Sequence, residues 1–192
     1  MGELSRMVPY LEGKLLLSMP GMGDPRFYHA VIFMVSHHAQ GAMGLIVNFP
    51  TENLTFAELI KEAGLGDVTV KRAGVPLLNG GPVEMQHGFL LHTPDFEHEH
   101  TIKVSEQFSV SANLDALAAF AGGECPKEGL LMLGYAGWGA GQLEQELQEN
   151  AWLVAEADYE ILFNTPFADR WERAYSYLGV DPTKMSSEAG RA

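Results

Sequence analysis

The chain of 192 residues carries 12 Lys plus Arg against 25 Asp plus Glu, a formal charge of −13, with 46% hydrophobic residues. That composition excludes a disordered chain, and the scattered cations exclude the basic patch that sequence-independent DNA binding requires. One cysteine, Cys125, precludes an internal disulfide and points to a reducing, cytoplasmic setting, and no apolar run reaches the ~18 residues of a membrane span. The Met1-Gly2 start lacks the Ser or Thr of a myristoylation signal, since Arg6 stands there.

The run 14–19 predicts a buried strand, stopped by the turn-rich segment 20–25. Residues 30–36 and 44–48 form a second and third strand, joined as a hairpin by a turn at Gln40-Gly41. Thr55 and Glu58 have the spacing of a capping box, so a helix runs from there to about Ala63. Leu77–Asn79 leads into a turn at Gly80-Gly81-Pro82, and 88–92 is a short strand. Residues 101–104 and 108–111 alternate apolar and polar side chains and pair across a turn near Ser105. Asn113 caps a helix ended by Gly122-Gly123.

Residues 130–135 read as a buried strand, followed by a glycine turn from Gly134 to Gly141 and a helix from Gln142 to Glu149. Residues 152–155 are a strand. Thr165 as N-cap with Pro166 at the first helical position opens a last helix, whose Phe167, Trp171, Ala174, Tyr175 and Leu178 share one face up to Gly179. Residues 181–192 read as a surface tail. Hairpins mixed with single helices favour α+β over a doubly wound sheet, in one domain spanning 1–192 with its core at about 11–180.

No catalytic motif is complete. Gly134 and Gly139 are spaced as in a P-loop, but Ala140 and Gly141 replace its Lys and Ser/Thr. A dinucleotide fingerprint from Gly137 and Gly139 meets Gln142 where its third glycine belongs, and Glu144 already complements the helix dipole. The turn therefore reads first as a close-packing device around Trp138. Asp95–His100 holds metal-capable side chains, with His98 and His100 on one side of an extended strand, but a solvated acidic loop is the favoured reading and no metal is expected. His37 and His38 face opposite ways on a strand. No nucleophile elbow occurs, Ser36 beside His37 is no evidence of a triad, and Cys125 reads as incidental. In Asp169-Arg170-Trp171 the plain reading is a dipole-favouring Asp169, a solvated Arg170 and a core Trp171.

Several blocks together resemble the AlgH/YqgE family of small bacterial proteins. They are Met19-Pro20-Gly21-Met22-Gly23-Asp24-Pro25, the run from Gly41 to Asn48, Gly80-Gly81-Pro82-Val83, and Gly88 to Pro94. The run from Leu133 to Leu147, Asn150-Ala151-Trp152-Leu153 and Asp169-Arg170-Trp171 complete the set. The resemblance implies an α+β fold with a branched, strongly bent mixed sheet that includes a small closed barrel, with helices outside. Family function is uncharacterised, some members carry a transcriptional-regulator label, and no catalytic residue carries over. Where many members read Tyr-Ile-Cys-Glu-His, this chain has Phe33-Met34-Val35-Ser36-His37, so thiol or carboxylate chemistry there has no counterpart.

Two functions are carried forward. One is a non-enzymatic regulatory protein that binds a protein partner, without direct nucleic-acid or membrane contact, through a patch of Asp24, Asn48, Gly137, Trp138, Gly139, Gln142, Glu146 and Arg170. The alternative is a small-molecule binder or enzyme whose pocket beside Gly134–Gln142 uses Asp24, Asn48, Gln142 and Glu146. No cofactor is expected.

Overall fold

The computed structural model describes residues 9–185. The myristoylation reading at the N-terminus and positions 186–192 of the tail lie outside them. The strands are β1 (Lys14–Ser18), β2 (Val31–His38), β3 (Gly41–Ile46), β4 (Leu77–Asn79), β5 (Val83–His92), β6 (Ile102–Lys103), β7 (Ser109–Ser111), β8 (Gly129–Gly139) and β9 (Trp152–Glu156). The helices are α1 (Phe56–Glu62), α2 (Leu114–Gly122), α3 (Gln142–Gln148) and α4 (Arg170–Tyr177).

All nine strands join one sheet in the order β6-β7-β5-β8-β3-β2-β1-β9, with β4 on β8 as a branch. Every pairing is antiparallel except β4 with β8. The branch agrees with the sequence expectation, but the small closed barrel does not form. β6 and β9 are free ends of an open half-barrel, and β6 is a two-residue, exposed strand too short to seal a seam.

The continuous apolar runs of β1 and β2 arise because the sheet is covered on both faces. Leu15, Leu17, Val31 and Phe33 enter one core with α4's Trp171, Ala174 and Tyr175. Their neighbours Leu16, Ile32 and Met34 enter a second, with Trp138, Trp152 and α3's Leu143. A third core lies under α1 and α2, where Phe56, Ile60, Ala116 and Phe120 meet Leu90 and Leu131. The capping box at Thr55 and Glu58 forms in full, Asn113 caps α2, and Gly123 ends it in the left-handed conformation.

Three local expectations are corrected. The third strand is Gly41–Ile46 and stops short of Asn48, because Asn48 turns its amide into the core to clamp the chain. Thr165 is no N-cap: its hydroxyl donates back to the Glu160 carbonyl, closing a π-helical turn over Glu160–Asn164 that periodicity did not reveal. Phe167–Asp169 then makes a tight 3₁₀ turn before α4 begins. The stretch holding His98 and His100 is loop, the reading favoured from the sequence, with His98 facing Asp115; among the described residues no group of three or more metal-capable side chains forms. No helix among the described residues is long and apolar enough to cross a membrane.

The largest correction concerns the glycine turn. β8 runs unbroken through Gly134, Gly137 and Gly139, and the chain turns only at Ala140-Gly141. The close backbone approach does exist, displaced from the indole. β4 lies on one edge of β8 and β5 on the other, so Gly80-Gly81-Pro82 must cross over β8 at Gly134 and Tyr135. A Cβ at Gly80 would overlap the Gly134 carbonyl, one at Gly81 the Tyr135 carbonyl, and one at Gly134 the Gly81 carbonyl. Gly134 also has φ of 77°, which disfavours any side chain.

Candidate functional site

β5 pairs with β8 at Val83 and Tyr135 and goes no further along it, whereas β3 follows β8 from Ala136 to Gly139. On one side of the uncovered stretch lies a cleft of about 270 Å³, lined among others by Asp24, Arg26, Phe27, Trp138, Gln142 and Glu146. Trp152 from β9 completes its aromatic wall. The rings are set edge to face, Phe27 against Trp152 at 5.7 Å and Trp138 against Trp152 at 6.0 Å.

Glu146 is the hub. An indole buried by packing still needs an acceptor for its N–H. Trp138 Nε1 and Trp152 Nε1 both donate to Glu146 Oε2, at 2.9 and 2.7 Å. Gln142 Nε2 donates to Glu146 Oε1 at 2.9 Å, while Gln142 Oε1 accepts the Gly139 N–H at 3.0 Å. Among the described residues the carboxylate is thus met by three neutral donors and no cation. Across the cleft, Arg26 grips Asp24 through Nε and Nη2 and lies over the Phe27 ring. Those hydrogen bonds hold the Asp24 carboxyl below the ordinary carboxylate range.

A second hollow, of about 430 Å³, lies against the same stretch and includes Ser36, His38, Met43 and Tyr135. Val83, Gly137 and Trp138 border both spaces. The two hollows therefore meet at the uncovered edge of β8.

Of the sequence candidates, Asp24, Gly137, Trp138, Gln142 and Glu146 line the first cleft, and Gly139 touches it through its bond to Gln142. Asn48 and Arg170 do not line it. Asn48 accepts from Val31 N–H at 2.9 Å and donates to the His29 carbonyl at 2.8 Å. Arg170, expected in solvent, is 2% exposed. It donates to the carbonyls of Val47 and Thr165 and lies over Phe167, and burial pushes its guanidinium down to about 10. Trp138 is floor rather than protrusion, at 7% exposure.

Sequence reasoning missed Arg26, Phe27 and Trp152. The available signal was two tryptophans, each needing an acceptor, flanking a helix with carboxylates at 144 and 146. Glu144 turns elsewhere, to His37 Nε2 at 3.0 Å, while His37 Nδ1 accepts the Leu11 N–H. Both imidazole nitrogens are therefore committed to holding the segment before β1 against α3. His37 is buried and His38 exposed, as strand alternation required.

Fold and site together define a small α+β protein built on an open, curled sheet, with an aromatic and acidic cleft at an uncovered strand edge. The AlgH-like (DUF179) family model matches residues 15–183, and the chain belongs to that family. A UPF0301 protein of Jannaschia sp. (strain CCS1) is 46% identical over 187 residues, covering 95% of each chain. Another from Ruegeria pomeroyi is 46% identical over 183 residues, covering 95% of this chain and 99% of its own. The solution structure of the AlgH protein from Pseudomonas aeruginosa superposes with a TM-score of 0.78 at 39% identity, covering all of both chains. A Corynebacterium diphtheriae protein of 20% identity superposes at 0.69, covering 87% of this chain and 86% of its own, a likeness of fold alone.

Proposed function

We propose that this protein is a non-enzymatic recognition protein, which regulates by binding a protein partner in the cleft between α3, β8 and β9. The observation that carries the reading is convergence. Five candidate residues from three segments, Asp24 in the loop after β1, Gly137 and Trp138 on β8, and Gln142 and Glu146 on α3, line one cleft, and its central carboxylate is held by two indoles and an amide. The carboxylate's oxygens are engaged by three N–H donors, an arrangement that supports recognition over catalysis.

Shape favours a macromolecular guest over a metabolite. The first cleft holds about 270 Å³. Joined to the second hollow it wraps around a strand edge, a shape suited to a chain rather than a compact molecule. With a charge of −13, regulation, of transcription included, would run through such a partner and not through grip on DNA. The lone cysteine supports a cytoplasmic setting, and the nine-stranded sheet supports one domain.

The test is photo-crosslinking in cells. A benzophenone amino acid at position 139 should yield a discrete adduct of higher mass, absent when the probe replaces exposed Glu172 on α4. Adducts indistinguishable between the two positions, or none at 139, would remove the support for this reading.

A further inference from the structure

The uncovered edge of β8 has a definite backbone polarity. In an antiparallel ladder, alternate residues turn both N–H and C=O toward the same neighbour. The Gly139 N–H is turned away from β3, since it donates to Gln142 Oε1. Gly137, two residues earlier, therefore turns its N–H and C=O the same way, to the side β5 has left after Val83. Both glycines are exposed. Gln142 Oε1 stands on Gly139 where the carbonyl of a neighbouring strand would stand. Strand alternation puts Trp138 on the face of the first cleft and Tyr135 and Met43 on that of the second hollow, with Gly137 and Trp138 bordering both at the edge.

Charge selects what enters. The Glu146 carboxylate faces the cleft with only neutral donors around it, beside three aromatic rings. A carboxylate with aromatic faces attracts a cationic side chain. Arg26 does not supply that charge, because Asp24 holds it. The opposite hollow, with Met43, Val83 and Tyr135, is largely apolar.

We propose that the occupant is an extended segment of another protein that adds as a strand to β8 over Gly137–Gly139. It places a Lys or Arg against Glu146 and the adjacent apolar residue in the hollow by Tyr135. This rests on the partner-binding reading and names its mode and ligand chemistry. Strand addition takes affinity from main-chain hydrogen bonds and specificity from alternate side chains, which here meet two chemically different hollows.

The probe is a synthetic ten-residue peptide library whose central residue is fixed as Lys, Arg, Leu or Glu, applied to the full chain. The Lys and Arg pools should be retained about tenfold over the Glu pool, with retention falling as salt rises. The best single peptide is then N-methylated at each position in turn. Loss of binding should alternate, about tenfold or more at every second position and little between, because each methyl removes one donor. The Gly137 amide should gain hydrogen-exchange protection. Glu146→Gln should bind while losing the preference for a cation.

N-methyl sensitivity without a period of two, or protection away from β8, overturns strand addition even where crosslinking at position 139 succeeds. A crosslinked species of twice the chain mass assigns the edge to a second copy and overturns it too. Equal retention of all four pools refutes the charge assignment.

Discussion

Arg170 and Glu146 solve opposite problems in the same way. Each is an ion held by neutral groups, Arg170 buried and Glu146 half-buried, and neither is paired with an opposite charge among the described residues. Arg170 gives its N–H groups to the Val47 and Thr165 carbonyls beneath α4, and Glu146 receives N–H groups from two indoles and an amide beside α3. The difference is closure. Beneath α4 the guanidinium is sealed, capped by Phe167, beside a helix latched by Trp171 and Tyr175, which both donate to the Ser18 carbonyl at 2.9 Å. Beside α3 the carboxylate lines open space. A sealed ion satisfied only by neutral groups still bears the cost of burial and depends on each of those bonds, whereas one that lines open space is left free to attract a further partner.

The comparison yields graded predictions. Arg170→Met strands two carbonyls in the core and should cost about 2–4 kcal/mol, read as a lower urea midpoint at constant slope. An unchanged midpoint would show the sealed ion to be dispensable. Next come the β8 glycines. Gly134→Ala, at positive φ against the Gly81 carbonyl, should cost more than about 2 kcal/mol. Gly141→Ala, at φ of 74° in open space, should cost about 1 kcal/mol, and Gly139→Ala less than about 0.5. Four-way thermal melts with the parent check the ranking, and equal values would break the crossing interpretation. Glu146→Gln keeps volume but forfeits an acceptor, so about 1 kcal/mol is expected, with a change in tryptophan emission.

The smallest effect is a pH slope. Burial lowers His92, and also His29, from the ordinary value of 6.5. His92 is fully buried, with Nδ1 bonded to the Thr93 carbonyl and Nε2 to Ser111 Oγ. The unfolded chain therefore takes up the proton first, so stability should be full above 6.5 and fall as pH drops below it. His92→Gln should flatten that slope to the part His29 supplies, measured by denaturation between about pH 5 and 7.

What the sequence disclosed follows from range. The capping box at Thr55 and the continuous apolar runs of β1 and β2 are short-range patterns, and they formed as expected. The β8 glycines misled because glycine marks both turns and close crossings, and only the partner strand at Gly80-Gly81 distinguishes them. Arg170 was misplaced because its acceptor Val47 lies 123 residues away, and nothing local signals a buried guanidinium. Half of the cleft was legible from β8 and α3. The other half comes from Arg26 and Phe27, brought there by the path of the chain between β1 and β2.

The position of β8 also orders biosynthesis. It is the common neighbour of β3, β4 and β5, yet it is made after all of them. Until residues 129–139 leave the ribosome, the hairpin and the glycine strap have no strand to close upon. The amino-terminal half therefore waits, unfinished, for nearly fifty codons after the strap is translated, and a chaperone acting in that interval would meet its exposed inner faces.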